Sequence, residues 1–219
     1  MEKSEVEKHL SALGVGLLAV YSVFSLIVLS HILEPVDIGL FRSINAGFSV
    51  PFLDGVMILL TLYGRELTWV SITVLLFFLG GKEGKNTSLT LVFLFALLIV
   101  VGYSLKIVEF RPRPYDVLSE VRLLVPPEVD SSFPSGHALL VSGGATVTWL
   151  RMKKRWAVPI AVDSFLVAYS RIYVGVHFPL DVLGGSVLGI AVACLVVGQQ
   201  DRLAAIIRET IKRKPPEVG

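Results

Sequence analysis

The segment SRIYVGVHFPLD, residues 170–181, sets His177 and Asp181 four residues apart. On a helical turn that spacing puts both side chains on one face, and Pro179 suits a first helical turn. Asp181 then accepts a hydrogen bond from one imidazole nitrogen, fixing the tautomer that leaves the other free to attack. Upstream, FPSGHALL (133–140) brings Ser135, Gly136 and His137 to the expected start of a helix. Free N–H groups and the positive dipole end of a helix suit an anion there. Ser135 is a candidate cap, Gly136 lets a ligand approach the backbone, and His137 is in reach to protonate a departing oxygen. The third cluster, KIVEFRPRP (106–114), holds Lys106 and Arg113 seven residues apart. Pro112 and Pro114 end a helix nearby, which leaves Arg113 on irregular backbone.

Each cluster has a plainer reading when taken alone. Lys106 can snorkel to an interface beside a basic loop, and His137 can be an interfacial hydrogen-bonding residue. A metal site is the competing reading for two histidines and an aspartate, but the sequence offers no evident third and fourth ligand. Lys106, Arg113 and Arg171 would repel a divalent ion. They would attract phosphate and neutralise the charge on its equatorial oxygens during transfer.

The elements that must hold these groups are apolar. Of 219 residues, 53% are hydrophobic and only 17% charged, far from the balance of a soluble domain. Apolar segments fall at about 10–33, 66–80, 87–109, 136–150, 156–172 and 179–198. A helix of roughly 20 apolar residues crosses a hydrocarbon core about 30 Å thick, so six crossings are expected. The segment 34–65 reads as an outer amphipathic or interfacial stretch; its apolar part 51–63 is too short to cross and is expected at the membrane interface or as a buried half-helix. The run from Leu10 to Leu33 is too long for a signal-peptide core and is expected to be a retained first span. With the N-terminus inside, Lys3, Lys8, Lys82, Lys85, Arg151, Lys153, Lys154 and Arg155 lie on inner segments, as do Arg202, Arg208, Lys212, Arg213 and Lys214. That excess predicts cytoplasmic termini and puts all three clusters at the outer face. The tail 199–219 reads as a basic cytoplasmic flank attracted to anionic lipid.

Other functions are disfavoured. A net charge of +2 gives no case for nucleic acid, and Cys194, the one cysteine, can build neither a disulfide nor a cysteine metal site. Asp163, mid-span, is expected to be hydrogen-bonded to a neighbouring hydroxyl or neutral. Glu109, Arg111, Asp116 and Arg122 border the clusters and read as a solvated loop.

Lys106 to Arg113-Pro114, then Pro134-Ser135-Gly136-His137, then Ser170-Arg171 with His177 and Asp181, resemble the three signature motifs of the type-2 phosphatidic acid phosphatase (PAP2) superfamily. Every motif position is matched, and the resemblance covers roughly residues 10–198. It implies an all-α fold, a single six-transmembrane-helix domain with a PAP2-type, chloroperoxidase-like catalytic core. It also implies a two-step displacement without metal or cofactor. His177 attacks phosphorus, Asp181 holds the ring, and His137 serves as acid and then base. Lys106, Arg113, Arg171, Ser135 and the Gly136 N–H hold the phosphoryl oxygens. The implied partner is a lipid phosphate or diphosphate in the membrane, polyprenyl diphosphate first, phosphatidylglycerophosphate and phosphatidate next. A phosphotransferase using the same intermediate stays open, whereas a non-enzymatic lipid carrier would be expected to have lost His177, His137 or Asp181.

Overall fold

The computed structural model describes residues 3–47 and 50–200. Its helices are α1 (Lys3–Leu29), α2 (Glu34–Asn45), α3 (Pro51–Tyr63), α4 (Glu66–Leu79), α5 (Gly81–Val108), α6 (Pro114–Val117), α7 (Gly136–Arg151), α8 (Lys154–Tyr173) and α9 (Pro179–Gly198). No strand occurs among the described residues. From residue 201 on, the expected basic tail lies outside them.

Helices α1, α4, α5, α7, α8 and α9 follow the six apolar segments. Their ends differ where charged helix formers continue the turn past the apolar run, as at Lys3–Lys8 of α1. α1, α5 and α9 are each long and apolar enough to cross a membrane, and α3 with α4 passes as a fourth unit bent by 55°. α7 has 16 residues and α8 carries Lys154, Arg155, Asp163 and Arg171, so neither meets that measure by itself. Large apolar side chains cover the outward faces, among them Val23 and Leu26 of α1, Val70 and Phe78 of α4, Val100 of α5 and Phe165 of α8. Such a surface needs lipid rather than water around it. The chain is an integral membrane protein.

α9 runs through the centre, packed on α1 and α7, and α7 also packs on α5 and α8. Small residues permit this closeness. A Cβ on Gly185 would come within 2.4 Å of Ser135 O, and one on Gly189 within 2.2 Å of Leu139 O. Without a hydrophobic driving force between helices in lipid, backbone proximity of this kind supplies the packing.

The segment expected to be interfacial forms α2 and α3. α2 buries Asp37, Phe41 and Asn45 against the rest of the bundle. α3 starts near Asp54, which accepts a hydrogen bond from Tyr173 Oη at 2.7 Å. It finishes near Thr61, whose hydroxyl receives Arg171 Nη1 at 2.5 Å. Arg171 and Tyr173 both belong to the last turn of α8, so α3 lies beside that end of the bundle.

Candidate active site

Three chain segments converge where α8 ends. α8 closes at Tyr173, and Gly175 at φ +91° turns the chain back; a Cβ there would stand 2.7 Å from Arg122 O. His177 follows, then Pro179 opens α9. α7 begins beside this turn because Ser135 N donates to Asp181 O at 3.0 Å. The third segment is the connection after α5, with Arg113 on extended backbone as the flanking prolines require.

The cations are linked by acids of the loop before α7. Arg113, 1% exposed, pairs through Nη2 with Asp130 Oδ1 at 2.6 Å and Glu128 Oε2 at 2.6 Å. Arg171 pairs with the other oxygen of Glu128. Lys106 Nζ donates to Asp130 Oδ2 at 2.7 Å and to Ser131 O at 2.7 Å. Burial raises both carboxyl pKa values, but it is outweighed by Arg171 and Arg113 at Glu128, and by Lys106 and Arg113 at Asp130. Both acids are therefore held below their ordinary range.

His177 is 1% exposed, with Nε2 3.5 Å from Arg113 Nη1. Nδ1 faces Ser132 Oγ at 3.4 Å and Asp181 Oδ2 at 3.6 Å, an ion-pair distance rather than a hydrogen bond. Asp181 itself is fully engaged. Oδ2 accepts from Phe178 N at 2.7 Å and from Ser132 Oγ, while Oδ1 accepts from Arg111 Nη1 at 2.6 Å. Arg111 Nη2 reaches on to Asp37 Oδ2 at 2.7 Å, and Asp37 Oδ1 accepts from Leu180 N at 2.9 Å. Burial, first, and then the charges of Arg113, Arg171 and Lys106 push the His177 pKa well below 6.5. Its ring is neutral at neutral pH.

His137 opens α7, with Nε2 3.2 Å from Thr61 O and Nδ1 3.3 Å from Nη1 of Arg65, at the α3–α4 bend. A cavity of about 560 Å³ is lined by Arg65, Lys106, Glu128, Gly136, His137 and His177 among others. A Cβ on Gly136 would meet nothing within 4 Å, so its backbone is open to approach.

Of the eight residues singled out in the sequence, Lys106, Gly136, His137 and His177 line the cavity. Arg113 and Arg171 are joined to its wall through Glu128. Ser135 and Asp181 are fully buried and are not part of its lining. Ser135 holds the N-cap position of α7, but its hydroxyl makes no capping bond and has no protein partner. Arg111 departs from the solvated-loop expectation, being 5% exposed between two carboxylates. Glu109 instead receives Tyr21 Oη at 2.6 Å and Ser25 Oγ at 2.8 Å, and Arg122 pairs with Asp54. Asp163 Oδ2 has no hydrogen-bond partner, which leaves the neutral carboxyl of the two expected readings. Sequence reading missed Arg65, Asp37, Ser132, Glu128 and Asp130. Only the two acids of VPPEVDSS carried any signal, as charges in a short loop between two basic clusters.

The fold and the site define a helical membrane bundle with buried cations gathered around a histidine. Residues 87–204 match the PAP2 superfamily, and the chain belongs to it. It is 41% identical over 162 residues to an undecaprenyl-diphosphatase of Sulfolobus acidocaldarius, covering 74% of this chain and 77% of that one. The undecaprenyl-diphosphatase BcrC of Bacillus subtilis is 30% identical over 158 residues, 71% of this chain and 79% of its own. The crystal structure of a transmembrane PAP2 type phosphatidylglycerolphosphate phosphatase from Bacillus subtilis shares the fold with a TM-score of 0.67. It covers 92% of this chain and 98% of its own at 24% identity.

Proposed function

We propose that this chain is a membrane phosphatase that removes the terminal phosphate of a polyprenyl diphosphate through a phosphohistidine at His177. The observation that carries this reading is the neutral, buried His177 with Nε2 turned to Arg113, in a cavity shared with His137 and Lys106. The names of the two curated relatives support the diphosphate. Membership of the family supports hydrolysis.

In the first step the Nε2 lone pair attacks the terminal phosphorus. The bond to the bridging oxygen breaks, and that oxygen leaves with the electron pair as lipid monophosphate, taking a proton from His137. In the second, water attacks phosphorus, His137 takes its proton, and the P–N electrons return to Nε2 as phosphate departs. Asp181, braced by Arg111, Ser132 and the Phe178 N–H, receives the positive charge that develops on the ring. Lys106, Arg113 and Arg171 hold the phosphoryl oxygens, with Ser135 and the Gly136 N–H. Glu128 and Asp130 already engage those cations, so phosphate binds by exchange with two carboxylates. The cations supply the charge neutralisation that a metal supplies elsewhere. Six helices cross the bilayer, both termini are cytoplasmic, and the site opens at the outer face.

The test is phosphate release from a panel of polyprenyl diphosphate, phosphatidylglycerophosphate and phosphatidate in detergent with excess chelator, parent against His177→Ala. Polyprenyl diphosphate is expected to give the highest kcat/KM, undiminished by chelator, and the variant to lose more than about 10³-fold. Dependence on added magnesium, or activity surviving in the variant, refutes the mechanism. A preference for a monophosphate lipid refutes the substrate alone.

A further inference from the structure

Arg65 lies outside all three signature motifs, yet its guanidinium is on the cavity wall beside His137. The chain delivers it there by the 55° break between α3 and α4. Its partner within the chain is Glu66, a neighbour that is 54% exposed. An exposed ion pair of that kind contributes little and leaves the guanidinium free to turn to a better anion. Arg65 also lines the mouth of a second cavity of about 670 Å³, an apolar groove between α4 and α5 walled by Trp69, Val74, Val92, Phe95 and Ile99. One cation thus stands between the His177 pocket and an apolar groove.

Two features of this position need explanation. An imidazolium at His137, which the departing oxygen requires, would stand 3.3 Å from a guanidinium and be repelled by it. An anion between them removes the conflict. Lys106 and Arg113 are bound by Glu128 and Asp130 near His177, and Arg171, tied to Glu128 and to Thr61, stands between the two histidines, so Arg65 is the cation in direct contact with His137. A phosphoryl group attacked by His177 points its leaving oxygen towards His137, and in a diphosphate that oxygen carries a second phosphate.

We infer that Arg65 binds the second, leaving phosphate of a diphosphate substrate, and is the residue by which the site favours diphosphate over monophosphate lipids. The inference rests on the reading of the cavity as the phosphatase site. As the bridging P–O bond breaks, negative charge develops on the departing phosphate before the proton of His137 reaches the bridging oxygen, and Arg65 meets that charge. The apolar groove then receives the first isoprene units of the tail. A monophosphate lipid offers Arg65 nothing, since its leaving atom is an alkoxide that depends on the proton from His137 alone.

The test uses the full chain in detergent micelles and two non-hydrolysable probes, methylenediphosphonate and methylphosphonate. Their dissociation constants are measured by calorimetry for the parent, Arg65→Gln and Arg65→Lys, so that a variant with impaired turnover is still read. Loss of a charge-assisted hydrogen bond predicts that Arg65→Gln weakens methylenediphosphonate by about tenfold or more, with methylphosphonate changed by less than about twofold. Arg65→Lys restores part of the loss. On farnesyl diphosphate and farnesyl phosphate, the ratio of kcat/KM values falls by about the same factor in Arg65→Gln. Equal weakening of both probes, or of neither, overturns the inference. The probe arm does not depend on which lipid the parent prefers, so a failed substrate assignment and a failed role for Arg65 give different results.

Discussion

His177 must be neutral to attack, and its surroundings hold it so. Burial is the largest influence and Arg113, Arg171 and Lys106 add to it, while Glu128 opposes them. A histidine whose pKa falls below 6.5 stays deprotonated as pH drops through 6.5 and takes its proton only at lower pH. The nucleophile is therefore in its reactive form throughout the neutral range. In ¹⁵N-histidine NMR of the protein in micelles, the His177 ring is expected to titrate well below 6.5. Arg113→Gln removes one of the lowering charges and moves the titration upward, yet it stays under 6.5 because burial persists. Titration at or above 6.5 in the parent would contradict this account. The spacing of His177, Asp181, Lys106 and Arg113 is readable in the sequence because each group belongs to a compact motif. Arg111 is not readable, since what distinguishes it from a loop arginine is Asp37, 74 positions earlier in the chain. Arg65 is hidden for a related reason: only the break at the α3–α4 junction turns it towards His137.

The helices set the site by how closely α7 and α9 approach, because the first carries His137 and the second Asp181 near their starting turns. Gly189 is the tightest point, with Leu139 O 2.2 Å and Gly143 N 3.0 Å from an added Cβ. Both are backbone atoms, which cannot swing aside as a side chain does. Gly189→Ala is expected to force the helices apart, costing about 1–3 kcal/mol, and to lower kcat as the two histidine-bearing segments separate. Gly16→Ala on α1, where an added Cβ meets nothing within 4 Å, is expected to be neutral or stabilising by up to about 1 kcal/mol. Thermal unfolding followed by tryptophan fluorescence in detergent checks both, and a Gly189→Ala variant as stable as Gly16→Ala would refute the packing argument. Apolar runs give the positions of these helices in the sequence, but not which glycines face a neighbour. Nor do they reveal that α2 contributes Asp37 from beneath, since an amphipathic segment reads the same whether its polar face meets water or a buried arginine.

Across the whole molecule the bundle has two chemically different ends. One holds the 109–135 connection, the α8–α9 turn and the α3–α4 bend, with their cations paired to Glu128, Asp130, Asp54, Asp37, Asp181 and Glu66. At the other, Lys153 precedes α8 and Lys154 and Arg155 open it, and Lys82 and Lys85 lie in the first turns of α5. An acid-paired cation adds little net positive charge to its end, so the orienting excess of lysine and arginine belongs to the second end. That end should therefore face the cytoplasm and the site the exterior. Single cysteines in a Cys194→Ala background test this, since Cys194 is buried at 3% exposure and its removal touches no site residue. Glu120→Cys, on the exposed connection before α7, is expected to react with a membrane-impermeant maleimide in intact cells, and Lys153→Cys only after lysis. The reverse pattern would leave the fold untouched but turn the phosphatase site inward, so that its substrate would have to present its phosphate in the cytoplasmic leaflet.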